Sequence, residues 1–175
     1  MRAVVLLLPI VAVIAGGAPD LTRLIFGPEF LPAAMLLRLL IFAALALLMM
    51  AVTTSVMIAA GKPRWTLWVA LPLIVGAFLG HSILIPAAGA MGAARVTTSC
   101  AIIGALVTIF LVYRLWRISP SVRTLWHCVV AGASGYMIAA MPPGATWLSL
   151  VLKFAGAGLI VIAALWLQEI GRAHV

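Results

Sequence analysis

Three cations interrupt segments that are otherwise apolar. Arg38 lies in Ala33-Ala34-Met35-Leu36-Leu37-Arg38-Leu39-Leu40, Arg95 follows Gly92-Ala93-Ala94, and Lys153 sits between Trp147 and Leu167. A charge inside such a segment is costly, and it faces a cavity, a partner or the headgroup boundary. The acids are Asp20, Glu29 and Glu169, and all three fall outside the apolar runs. No cation therefore has an acidic partner within a run, which makes an anionic ligand, a phosphate above all, the natural counter-ion. A guanidinium meets phosphate oxygens through two parallel N–H bonds, whereas an ammonium offers a point charge. Arg95, at the start of an expected helix, adds the helix dipole to its own charge. The competing explanation for each is snorkelling, with the stem buried and the charge at the headgroups.

Other chemistry is poorly supplied. Cys100 and Cys128 lie in different apolar segments without metal-ligand spacing, which suits small packing residues. His81 and His127 are isolated, and neither a Ser-His-Asp set nor a pair of carboxylates can be assembled. No catalytic residue, metal or cofactor is expected, and the chain is not expected to be an enzyme. The net charge of +8 is split among loops with no soluble fold to carry it, which excludes a nucleic-acid reading.

The elements that must position these residues follow from hydropathy. Two thirds of the chain is hydrophobic (66%), 8% is charged, and the mean hydropathy is +1.31. A soluble fold of 175 residues has too little polar surface for that composition. Runs of about 20 apolar residues match a bilayer core of about 30 Å. The expected fold is an all-α, polytopic transmembrane bundle of six spans, near 3–16, 32–60, 65–85, 92–113, 125–141 and 147–167. Helices are expected because lipid-exposed backbone must satisfy its own hydrogen bonds, and the runs lack barrel alternation. Gly27-Pro28, Gly61-Lys62-Pro63, Pro86 to Gly89, Ser119-Pro120 and Pro142-Pro143-Gly144 punctuate the runs as turns. Met1-Arg2 before an apolar stretch resembles a signal peptide, but no small-residue cleavage site followed by a soluble domain accompanies it.

Tryptophans and charge orient the bundle. Trp65, Trp68, Trp116, Trp126, Trp147 and Trp166 all lie at or near span ends, where amphipathic rings favour the headgroup region. Lys62, Arg64, Arg114, Arg117 and Arg123 fall in the loops after the second and fourth spans, with Arg2 on the same side by parity. The opposite loops hold Asp20, Glu29 and Arg23, the longest of them running from Gly17 to Leu31. The positive-inside rule then places the basic loops and both ends of the chain in the cytoplasm.

Glycine and proline mark where the helices bend and meet. Gly61 is expected to end one helix where a Cβ is penalised, with Pro63 beginning the next. Pro72 is expected to kink the third span by freeing a backbone carbonyl. Gly76 and Gly80 form a G-x-x-x-G face, and Gly89, Gly92, Ala93 and Ala94 form a second small surface. Such faces serve static packing, and they also make sliding between helices geometrically possible.

Three motifs, in order, carry a family resemblance. Pro9, then Leu24-Ile25-Phe26-Gly27-Pro28-Glu29-Phe30 and Ala33 to Leu40, resemble the C-terminal region of polysaccharide-biosynthesis flippases. Ala59-Ala60-Gly61-Lys62-Pro63-Arg64 is similar to that family's A-x-G-K/R-P loop. Ile83-Leu84-Ile85-Pro86 followed by Gly89-Ala90-Met91-Gly92-Ala93-Ala94 is similar to its L-I-P-x-x-G-x-x-G-A-A element. The resemblance to this branch of the multidrug/oligosaccharidyl-lipid/polysaccharide flippase superfamily spans roughly residues 5 to 117. It implies a two-lobed transporter of twelve to fourteen helices, of which this chain covers the last six. It also implies alternating-access movement of polyprenyl-pyrophosphate-linked sugars to the outer leaflet of the inner (plasma) membrane. The expected partners are the lipid-linked saccharide, membrane lipids and a first lobe, and Arg38, Arg95 and Lys153 become candidate substrate contacts.

Residues 169–175, Glu-Ile-Gly-Arg-Ala-His-Val, can be encoded by GAG-ATC-GGA-AGA-GCA-CAC-GTC. That string resembles the start of a short-read sequencing adapter, so the tail is expected to be non-native and the domain to end near 168. Two other classes compete with the flippase: a cation-coupled multidrug exporter, which should carry acids in its spans, and a purely structural membrane subunit. A glycosyl polymerase or ligase should display a large outer loop with catalytic groups, which these short outward loops do not provide. Reporter fusions test the topology. Those after Arg64 and Arg117 are expected to read cytoplasm, and those near Ala88 and Gly144 the outer side; inverted activity at both pairs would overturn the orientation.

Overall fold

The computed structural model describes residues 7–116, 122–140, 151, 154–156 and 158–159. Among them the secondary structure is helical, without a strand: α1 (Leu8–Gly16), α2 (Ala18–Phe26), a 3-10 turn (Pro28–Phe30), α3 (Ala33–Ala59), α4 (Pro63–Trp116) and α5 (Val122–Ala139). Among the described residues two helices are long and apolar enough to cross a membrane: α3, with 27 residues and a mean hydropathy of 2.6, and α4, with 54 residues and 2.1. At about 1.5 Å per residue, α3 alone is about 40 Å long and exceeds a hydrocarbon core. The chain divides into two compact units, one built on Phe42–Ser119 and the other on Arg2–Ile41 with Pro120–Val175.

In the first unit α4 is not one rod. Its single departure from helical dihedrals is Gly89 (φ 55, ψ −135), a conformation that L side chains rarely adopt. Beyond Gly89 the chain returns on itself. Gly92 lies against the Leu84 carbonyl, Gly80 against Val96 and Gly104 against Leu73, and the Lys62 ammonium stands over the Trp116 ring at 5.5 Å. These contacts step away from Gly89 in opposite directions, so residues 63–88 (α4a) and 90–116 (α4b) form an antiparallel helical hairpin. The third and fourth expected spans fall on its two arms. The loop expected at Pro86 to Gly89 contracts to the break at Gly89, and Pro86 remains helical. Pro72, where a kink was expected, also keeps helical dihedrals. A proline's fixed φ is itself helical; its cost is one missing hydrogen bond.

Close approach in this hairpin uses part of the expected small-residue surface. A Cβ on Gly80 would stand 2.8 Å from Val96 Cγ1, whereas one on Gly76 would meet nothing within 4 Å. Gly76 is therefore not a packing residue of this unit, although the G-x-x-x-G spacing pairs it with Gly80. Gly104, which the sequence reading passed over, is more tightly enclosed, with Met50 Sδ and Leu73 Cδ1 at 2.7 and 2.8 Å from a built Cβ. On the same side Ala43 and Ala46 of α3 pack with Ala101 and Ala105 of α4b, backed by Met49. Two buried hydroxyls of this unit are satisfied within their own helices. Thr53 donates to the Met49 and Met50 carbonyls, and Thr108 donates to those of Gly104 and Ala105.

The second unit rests on a seam between α1 and α5. Gly132 lies against Leu8, Pro9 and Ala12, and Gly16 lies against the Tyr136 carbonyl and Ala139. Both contact series climb together, so these two helices run parallel. Val13 and Ala139 are buried at the seam, with Ile138 and Phe154 packed on them. From α1 the chain enters α2 through a 54° bend at Gly17. Pro19 accounts for it, because its missing N–H leaves the Ala15 carbonyl without its helical donor. The expected loop from Gly17 to Leu31 is consequently mostly helix. The fifth expected span falls on α5. The expected span at 147–167 is described only at 151, 154–156 and 158–159, and the tail at 169–175 lies outside the described residues.

Steric room makes the glycine predictions opposite in sign. Gly92→Ala drives a Cβ into the Leu84 backbone carbonyl and is expected to cost about 1–3 kcal/mol or more, since backbone yields less than a side chain. Gly76→Ala has open space and is expected to be neutral or stabilising by up to about 1 kcal/mol, through the helix preference for alanine. Thermal melting of the two variants in one detergent checks this; equal melting temperatures would contradict the hairpin contact.

Candidate functional site

Arg38 is placed by two elements of the second unit. It stands in the second turn of α3, partly buried, with its Nε buried and without an acceptor. The guanidinium carbon lies 6.0 Å from the centroid of the Tyr136 ring on α5. Tyr136 is fixed in turn by the α1–α5 seam, where Gly16 allows the Tyr136 backbone to approach. Among the described residues no carboxylate pairs with Arg38. The result is an aromatic-backed cation near the start of an apolar helix, able to attract an oxyanion.

The other two candidate cations do not join it in one described site. Arg95 belongs to the first unit and is exposed on α4b, immediately after the small residues Gly92 to Ala94. Lys153 lies outside the described residues. Of the proposed packing or gating residues, Gly61 closes α3 with φ 71 and precedes Pro63 at the start of α4, Gly89 forms the hairpin tip, and Gly80 and Gly92 lie between the arms α4a and α4b. Gly76 and Pro72 are exposed on α4a.

Asp20 is the residue that the sequence reading misplaced. Taken as a loop acid, it sits in the first turn of α2 with 7% of its surface exposed, beside the equally buried Thr22. The signal was present in Ala18-Pro19-Asp20, because proline at a helix start followed by an acid in the first turn is a helix N-terminal pattern. An acid is favoured there by the helix dipole. Arg23, by contrast, is exposed, although it stands in the last turn of the same helix.

A separate feature lies within the first unit. A groove of ≈ 270 Å³ is lined by residues that include Leu47, Met50, Leu73, His81, Thr97 and Cys100. His81, isolated in the sequence, presents a buried Nδ1 without a hydrogen-bond partner. Cys100 is half-buried on this groove, and Cys128 of the other unit is fully buried. Among the described residues no cluster of three or more His, Cys, Asp or Glu could hold a metal ion.

No protein-family model, curated protein or solved structure matches this chain. The functional reading rests on the residues and their placement.

Access separates the two thiols. N-ethylmaleimide is expected to modify Cys100 in the folded protein and to spare Cys128 until the chain is denatured, read by mass spectrometry of the two peptides. Faster labelling of Cys128 would contradict the burial assigned to α5.

Proposed function

We propose that this chain is a multi-pass membrane protein forming the C-terminal part of a flippase for lipid-linked saccharides. It carries polyprenyl-pyrophosphate-linked oligosaccharide from the cytoplasmic to the outer leaflet of the cell's inner (plasma) membrane, for cell-surface polysaccharide synthesis. Its partners are the saccharide lipid, bilayer lipids and a first lobe, and no cofactor takes part. The observation that carries the reading is Arg38. A partly buried guanidinium in a span-length apolar helix, with an aromatic face behind it and no carboxylate beside it, suits a ligand pyrophosphate. The ordered motifs before and after it support the same reading, as does the hairpin whose tip is Gly89.

One observation favours a second reading. A cation-coupled exporter of the same superfamily should carry an acid in its spans, and Asp20 is buried in the α1–α2 pair, whose bent halves together have the length and hydropathy of a span. Broken helices are common places for coupling ions to bind.

Both readings are tested in the full-length parent. Arg38→Ala is expected to lower glycan export about tenfold or more at unchanged abundance, since hydrogen bonds to charged groups contribute about 1.5–3 kcal/mol. Arg38→Lys is expected to retain part of the activity, and Arg23→Ala, on an exposed helix end, nearly all of it. Normal export by Arg38→Ala reduces Arg38 to a snorkelling anchor. If the wild type exports no glycan but drives efflux of a cationic dye that Asp20→Asn abolishes, the exporter replaces the flippase.

A further inference from the structure

Arg38 presents a problem of position that the rest of its helix does not solve. A long cationic side chain near the end of an apolar helix gains by extending to the headgroups. Here its Nε is buried and its guanidinium carbon lies 6.0 Å from the Tyr136 ring centroid, so the side chain is held against α5. The nature of the holding group matters. A carboxylate would neutralise the charge and occupy the N–H fork. A ring face attracts the cation through its quadrupole and accepts no N–H bond in the plane of the fork. A guanidinium has five N–H donors, and with the Nε–H buried the end-on edge, one N–H from each terminal nitrogen, is the pair that can meet an oxyanion. Tyr136 is itself anchored from behind, because its backbone is the surface against which Gly16 packs.

We propose that Tyr136 is the positioning residue of the anion site, holding the Arg38 guanidinium by its ring face so that charge and terminal N–H donors stay available to a pyrophosphate ester. This rests on the reading of Arg38 as the substrate contact and adds a residue on a helix that the family resemblance does not reach. The ring acts through Arg38 and makes no bond to the ligand. Two consequences follow. The tyrosine hydroxyl is dispensable, and affinity for the anion tracks the electron density of the ring.

The 175-residue chain in nanodiscs, with farnesyl pyrophosphate as the probe, tests this through protection of Arg38 from phenylglyoxal, read by mass spectrometry. Tyr136→Phe sets the reference and is expected to protect within about twofold of the wild type. Fluorinated phenylalanines at position 136 keep the shape while draining the ring face. They are expected to raise the half-protecting concentration stepwise, to about fivefold or more for the most fluorinated ring, within the range of about 0.5–2 kcal/mol typical of cation–π contacts. Tyr136→Leu is expected to do the same in one step. A flat response across the fluorinated series overturns the role of Tyr136 while leaving Arg38 as an anion contact. Absence of protection in the wild type removes the Arg38 reading and this proposal with it. Inorganic pyrophosphate, run alongside, is expected to protect at higher concentration only; equal potency of the two would show a site for free anions and overturn the lipid ester as its ligand.

Discussion

The first unit depends on the approach of two helix backbones that Gly92 permits. With a Cβ at position 92, the Leu84 carbonyl would have to move, and the arms of α4 could not meet so near their tip. Everything along the hairpin follows from that contact. Gly89 reverses the chain through its positive φ, Gly80 receives Val96, Gly104 receives Leu73 and Met50, and at the far end the Lys62 ammonium rests over Trp116. Between apolar helices in an apolar medium there is little hydrophobic gain to drive association, so closeness and the dispersion contacts it brings must do the holding.

The same economy governs the polar groups. Thr53, Thr98 and Thr108, buried on α3 and α4, each turn a hydroxyl to a carbonyl three or four residues back on the same helix. Thr53 and Thr108 can therefore sit fully buried with their hydrogen bonds satisfied. The exceptions stand out for that reason: Arg38 Nε, Thr66 Oγ1 and His81 Nδ1 are buried without a partner. In Arg38 the orphaned donor coincides with a charge and an aromatic neighbour. Thr66 and His81 have no such accompaniment.

The α1–α5 seam joins packing to chemistry. Small residues at Gly16, Gly132 and Ala139 bring α5 against α1, and that approach sets where the Tyr136 ring stands. A conventional ion pair would have placed Arg38 as firmly, but it would have cancelled the charge. A ring attracts the cation and leaves it charged.

The amino-acid sequence alone determined the helical class and the whereabouts of the long apolar segments, because composition and run length act locally on every residue. It also marked Gly61 as a place of unusual backbone, since only glycine takes a positive φ at low cost, and a turn over Pro86 to Gly89. It placed Asp20 in a loop, although Pro19 ahead of the acid was a readable helix start. Which glycines pack was not legible. Gly76 and Gly80 are equivalent by spacing, yet one faces Val96 and the other open space, while Gly16, Gly104 and Gly132 carry no spacing signal that singles them out. Nor did the sequence join Arg38 to Tyr136, nearly a hundred residues away. Those pairings belong to tertiary structure, because helix periodicity says which residues share a face and nothing about which face of another helix will meet it.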